Sequence, residues 1–331
     1  MNRREALKRM TATASGLLLP TGLVQAQEKK MLYGGWVHSP AARRAFIKRN
    51  RYPFFSQLAR GIKGTSDGKV VMLHQFMEQA QGHEIVPHAQ QIGDCVGHAF
   101  ALGVDMLTAT QAFMLNRPER WVAECATEPL YGGSRVEIGG GGLVGDGSVG
   151  HWAAEWLIRY GALLRQQYPG GHDFTTYSGS LAKRLGRLGC PDELEPIAKL
   201  HPVRTIALVN TFDEACDAIA NGYPVTLCSN VGFGMSSEYW VRDRDGFLRR
   251  RGLWGHAMLG IGFDRKYRRR GICIQNSWGN WVTGPTRHNQ PAGSFWCDEE
   301  TINSMLAQGD CHALSGYVGY PRVDIPDYEI W

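Results

Sequence analysis

Three side chains, far apart in the chain, are of types that together could do nucleophilic chemistry. Cys95 stands in QIGDCVGHAF (residues 91–100), just after a glycine turn and just before an apolar stretch. A cysteine there could be a small core residue, half of a disulfide, a metal ligand or a nucleophile. At a helix start, unpaired amide N–H groups and the helix dipole favour an anion, which lowers a thiol pKa and stabilises the attacking thiolate. A thiolate also needs a base–acid partner to hold it and to protonate a leaving group. His256 in GHAMLGIGF opens an apolar strand, and Asn276 in IQNSWGNW follows the next one. A strand histidine oriented by a carboxamide fits that need. Taken singly, each residue has a plainer role: a buried thiol, a strand histidine, a turn asparagine, and Trp278 as core. His98, at i+3 from Cys95, leans toward the helix N-terminus; with nothing evident to orient it, it reads as a surface or cleft-wall residue.

The elements that would position these residues can be read from periodicity. Residues 96–116 form a helix whose stripe Val96, Ala99, Phe100, Gly103, Val104 and Leu107 has apolar flanks, so it is expected to be buried all round. Residues 213–220 read as an amphipathic helix, followed by a turn at Asn221-Gly222 and a strand over 224–228. Runs at 256–263, 271–278 and 293–298 read as antiparallel strands. Helices first and strands second give an α+β fold of two lobes with a cleft between them. The glycine-dense stretch 132–150 lacks the GK[ST] ending of a phosphate loop and reads as a shaped surface loop. Ser148 is placed to cap a helix over 149–161, with Gly161 at its end.

Composition bounds the function. Of 331 residues, 43% are hydrophobic and 20% charged, as in a soluble globular protein. No apolar run is long enough for stable membrane insertion. Residues 1–26 read as a signal peptide: Arg3-Arg4, a weakly apolar stretch and a small-residue end at Val24-Gln25-Ala26 stand in twin-arginine order. The expectation is therefore an exported protein, periplasmic or extracellular. That segment carries four basic side chains and one acidic one, so of the net +5 about +2 remains, which does not support a nucleic-acid partner. The triplets Arg249–Arg251 and Arg268–Arg270 read as solvated hairpin tips. Eight cysteines contain no CxxC pair, so a zinc ribbon or thioredoxin-type site is not expected.

Four stretches, in order, resemble the papain family of cysteine peptidases: QQIGDCVGHAF, YGALLRQQYP, AIANGYPV, and GHAMLGIGFD followed by IQNSWGNW. The resemblance spans residues 71–320, leaving 27–70 as an N-terminal extension or pro-segment and 321–331 as a tail. It implies a helical lobe with a central helix and an antiparallel β-barrel-like lobe. It implies Cys95 as nucleophile, His256 as general acid/base, Asn276 as the ring's orienter and Trp278 as the shield of that bond. It implies a peptide or protein substrate and neither cofactor nor metal. His256 follows Cys95 by 161 residues, beyond the ~130–150 of the family, so an insertion is expected between them. There are departures. The oxyanion-hole glutamine, six residues before the cysteine in the family, is Ala89 here, which points to Gln90, or to Gln91 if two residues are deleted. Asp94 precedes the nucleophile, and its charge would oppose thiolate formation. Val96 stands where the family has tryptophan. By the same resemblance Gly147 would pair backbone-to-backbone with substrate. An acyltransferase or amidase on this scaffold, and a silent papain-like binding module, are the alternative functions.

Overall fold

The computed structural model describes residues 34–117, 119–234 and 240–321. The expected signal segment and tail therefore lie outside the described residues, apart from Pro321. Helix α1 (Pro40–Arg49) is capped by the Ser39 side chain, which accepts from Ala42 N. Helix α2 (His74–Gln81) leads to the loop before Cys95, and helix α3 (Cys95–Ala109) begins at that cysteine. A π-turn over Thr110–Met114 extends α3, and Asn116, at φ 47°, ends it. Every residue of α3 is buried. The reason is its position between two cores. Leu102, Met106 and Ala109 pack into the core under the sheet, while Cys95, Val96, Phe100, Val104 and Leu107 pack into the helical core.

The sheet has seven antiparallel strands: β1 (Val70–Met72), β2 (Val203–Leu208), β3 (Val225–Val231), β4 (Leu253–Asp264), β5 (Gly271–Gln275), β6 (Ser294–Asp298) and β7 (His312–Tyr317). They run in the order β2-β7-β3-β4-β5-β6, with β1 paired to the end of β4. Among the described residues β2 and β6 remain separate edges, so the barrel-like lobe is an open antiparallel sheet and not a closed barrel. The helix before β3 spans Phe212–Ala220, capped by Thr211, and Glu299–Leu306 is capped by Asp298.

The glycine-dense stretch departs from its reading as a loop. Its first third is helical: helix α4 (Thr127–Gly133) runs into a π-turn over Ser134–Ile138. Glycine is needed there for close packing, since a Cβ on Gly133 would fall 2.3 Å from the Trp156 ring. Arg135 holds the remaining loop. Its guanidinium donates to the carbonyls of Gly186, Leu143, Gly145 and Gly147. Helix α5 (Gly150–Arg159) follows, without a side-chain cap from Ser148, whose Oγ meets Ser134 Oγ instead. Asp310 Oδ2 accepts from Gly150 N in that role. Gly161 does sit past the helix end at φ 86°, its N–H on Trp156 O. Within the expected extension, Phe46, Phe55 and Ala59 are buried core residues, and β1, which begins at its last residue, joins the sheet.

Arg135→Leu leaves three loop carbonyls and that of Gly186 without their donor, at a cost of about 3 kcal/mol or more, since bonds from a charged donor contribute about 1.5–3 kcal/mol each. The expected outcome is a lower urea midpoint together with selective proteolytic nicking within residues 139–147. A wild-type midpoint and digestion pattern would remove Arg135 from this role.

Candidate active site

Adjacent strands bring His256 and Asn276 together. His256 lies on β4, and Asn276 follows directly on β5, which pairs with β4. His256 Nε2 and Asn276 Oδ1 are 2.7 Å apart. The Ser277 N–H also donates to Asn276 Oδ1, at 2.7 Å, which identifies that atom as the oxygen. The proton of this imidazole therefore sits on Nε2, and Nδ1 keeps its lone pair. That Nδ1 is buried and has no hydrogen-bond partner. The Trp278 ring, itself buried, lies 4.5 Å from the imidazole, centroid to centroid. Cys95 is fully buried at the α3 N-terminus. The backbone N–H groups of Ala257, Val96 and Cys95 itself all act on its sulfur, and Ala257 is the residue next to His256 on β4.

The loop before Cys95 is tied to the Asn276 stretch. Gln90 N donates to Ser277 O at 2.8 Å, and Gly279 N to His88 O at 2.7 Å. Ser277 Oγ donates to Gln90 Oε1 at 2.5 Å, and Gln90 Nε2 to Ile92 O at 2.8 Å. Gln90 is thus buried between the two stretches. Gln91 turns away, its Oε1 accepting from Gly179 N.

Residues 34–37 thread across this region. Gly35 N and Trp36 N both donate to Gly255 O, at 2.7 and 3.0 Å. Ser148 N donates to Gly35 O, and Val37 N to Ser148 O. The fit requires glycine: a Cβ on Gly35 would fall 2.0 Å from Gly93 O, and one on Gly34 2.9 Å from Gly255 O. The Trp36 indole N–H donates to buried Asp310 Oδ2 at 2.7 Å. Gly147 has no backbone group to spare for substrate, because its N–H is on Tyr131 Oη and its carbonyl on Arg135. Its neighbour Ser148 is bonded backbone-to-backbone with residues 35 and 37.

Burial dominates the electrostatics. It pushes the Cys95 thiol up to about 12, outweighing the backbone N–H groups, and Asp94 adds to the rise. It pushes His256 down to about 4, against the raising effect of Asn276. In this covered state the pair is thiol and neutral imidazole. The stabilised thiolate expected from the helix terminus is absent here, because desolvation of an anion outweighs the dipole. Asp94 opposes it less than expected: burial pushes its carboxyl up to about 8, so at neutral pH it holds its proton. Tyr177 Oη donates to Asp94 Oδ2 at 2.8 Å.

His98 is buried, which corrects its reading as a surface residue, and it walls a small pocket beside Asn276 and Ser277, in keeping with its reading as a cleft-wall residue. It is buried against Tyr177, its Nδ1 3.2 Å from His88 Nδ1 and its Nε2 3.6 Å from Asp94 Oδ1. Asp94 is its i−4 neighbour along the helix, and only the fold brings His88 and Tyr177 around it. All eight cysteines are buried and unbridged.

A seven-stranded antiparallel sheet beside a central helix that begins at a cysteine, with a histidine–asparagine pair on neighbouring strands, is a papain-like architecture. Solved structures agree. Xylellain, a cysteine protease from Xylella fastidiosa, is similar at TM-score 0.58 and 17% identity, over 87% of this chain and 98% of that one. Procathepsin L2 from Tenebrio molitor larval midgut is similar at 0.52 and 14%, over 95% and 87%. Procathepsin B from Trypanosoma congolense is similar at 0.51 and 12%, over 89% and 94%. No protein-family model matches the chain, and neither does any curated protein. The chain has the papain-like fold.

In the unfolded chain Asp94 loses its proton near the ordinary 3.8, and in the fold only near 8. Between these values the folded state holds the extra proton, so the contribution of this carboxyl to stability falls as pH rises. Asp94→Asn removes that dependence. The melting temperature of wild type relative to the variant should fall between pH 5 and pH 8. A difference independent of pH would show that Asp94 is ionised in the fold.

Proposed function

We propose that the chain is an exported papain-like cysteine peptidase, with Cys95 as nucleophile, His256 as general acid/base and Asn276 as the residue that orients the ring. One observation carries this reading. The His256 ring is held through Nε2 by Asn276, its Nδ1 is buried without a partner, and the next residue on the strand, Ala257, shares the buried helical core with Cys95.

The chemistry follows from those atoms. The Cys95 sulfur attacks the peptide carbonyl carbon, and His256 Nδ1 takes the thiol proton and delivers it to the departing amine. Water then attacks the thioester and gives a proton to Nδ1; the sulfur leaves with the bond electrons and the acid is released. The charge on the carbonyl oxygen is met by the Cys95 backbone N–H and by the carboxamide of Gln90, whose burial beside Ser277 favours it over Gln91. Residues 34–37 act as a cover that must leave before substrate enters, and with the cover gone water can solvate an ion pair. Export rests on residues 1–26, and Arg3→Lys with Arg4→Lys should retain the protein inside the cell in a fractionation assay. Equal export of that double variant would sink the twin-arginine reading.

A silent binding module is favoured by the neutral Cys95–His256 pair, and labelling separates it from an enzyme. Trp36→Ala loosens the cover by removing the bond to Asp310. Its Cys95 should react with iodoacetamide at pH 7 at least about 10-fold faster than wild type, as expected of a thiol moved toward thiolate. Cys95→Ala should abolish labelling, and His256→Ala in the Trp36→Ala background should slow it to the rate of a simple thiol. The Trp36→Ala protein should cleave quenched peptides, and Asn276→Ala should reduce kcat. Labelling no faster than a free thiol, with no cleavage, would establish the silent module. Amide products formed on adding amines, in place of free acid, would establish the acyltransferase.

A further inference from the structure

Under Trp36, and apart from the Cys95–His256 pair, three buried polar side chains meet in the helical core. His312 begins β7 and Asp310 lies two residues before it, so both side chains fall on one face of an extended chain. His151 is the second residue of helix α5. All three are at most 2% exposed. Their ligand atoms all lie within 4.8 Å of one another. His312 Nε2 is 3.1 Å from His151 Nδ1 and 3.8 Å from Asp310 Oδ1, and His151 Nε2 is 3.3 Å from Asp310 Oδ1.

The two oxygens of Asp310 are used differently. Oδ2 accepts from Trp36 Nε1 at 2.7 Å and from Gly150 N at 2.9 Å. Oδ1 faces the two histidines, is buried, and has no hydrogen-bond partner. His312 Nδ1 has none either. The rings of Phe46 and Phe100 wall the cluster, with Phe46 5.3 Å from His151 and 5.2 Å from His312. A buried carboxylate oxygen without a donor is costly, and such groups are paired or coordinate a cation.

We infer that His151, Asp310 and His312 form a binding site for one zinc-type divalent cation, with Asp310 ligating through Oδ1 alone. Two nitrogens and one carboxylate oxygen are a donor set that zinc accepts. Tetrahedral zinc with bonds of about 2.0–2.1 Å spaces its ligands by about 3.3–3.4 Å, a spacing that one ligand atom from each residue, all within 4.8 Å of one another, can reach by small side-chain rotations. The bonds of Oδ2 to Trp36 and Gly150 are those of the outer partners that orient a ligating carboxylate. The ion would therefore sit directly beneath the residue that anchors the cover, so that metal binding and seating of Trp36 favour one another through Asp310. The three ligands come from a helix start and a strand start 159 residues or more apart, which is why no ligand motif shows in the chain.

The test is direct metal binding by the full chain carrying Cys95→Ala, so that the candidate nucleophile cannot supply a ligand. After treatment with a chelator, calorimetric titration with Zn2+ alone should show one equivalent bound with Kd below about 1 μM, and the melting temperature should rise with Zn2+ concentration. Asp310→Asn, which keeps the side-chain shape, and His312→Ala should each weaken binding at least about 100-fold, while His256→Ala should leave it unchanged. Co2+ tests the site without changing a ligand: it should give the intense visible bands of a tetrahedral ion without a sulfur charge-transfer band. Absence of a bound equivalent and of those bands would overturn the proposal. So would affinity that survives both ligand substitutions while those variants remain folded by circular dichroism. The cluster would then be a hydrogen-bond network with the proton on Asp310.

Discussion

The seam between the loop that precedes Cys95 and the stretch that follows β5 is the constraint on which the site depends. Gln90 N to Ser277 O and Gly279 N to His88 O tie two segments almost 190 residues apart in the chain. Each backbone bond contributes only about 1 kcal/mol to stability. Their geometric effect is larger. They fix where α3 begins relative to β4 and β5, and hence where the sulfur lies relative to the imidazole. The side-chain bond from Ser277 Oγ to Gln90 Oε1 strengthens the same seam and carries a carboxamide into it.

The second constraint is dryness. Cys95, His256, Asp94 and His98 are all essentially unexposed, and in each the first cause of the pKa displacement is burial. All four move toward the neutral form: thiol, imidazole, carboxylic acid and imidazole. A helix terminus can favour an anion by about 1 kcal/mol in ordinary cases and ~2 in favourable ones. Full desolvation outweighs that. Residues 34–37 lie beside this dry space, bonded to Gly255 and Ser148. Those residues are shaped for the position by glycine at 34 and 35, where a side chain would collide with backbone, and by Trp36 on Asp310.

Much of this was legible in the chain because it is local. The all-round apolar pattern of 96–116 announced a helix between two cores, and Leu102 and Phe100 do point into different ones. The short apolar runs at 256–263 and 271–278 became β4 and β5 with small changes of boundary. The glycine stretch was misread because glycine ordinarily opposes helix, whereas the close approach of Trp156 to Gly133 and the reach of Arg135 reward one there. The burial of His98 was not legible because His88 and Tyr177 reach it only in three dimensions, whereas its i−4 neighbour Asp94 could be read from the chain.

What the sequence by itself determined is the periodicity of the elements, the residue types available for chemistry, and their order along the chain, because these depend on neighbours a few positions apart. What the tertiary structure alone decided is which groups share a dry space. It chose Gln90 over Gln91 for the seam, gave Gly147 partners within the protein, and set His151 against Asp310 and His312. Desolvation and hydrogen-bond pairing act through distances of a few ångströms, and the spacing of residues along a chain does not encode those distances.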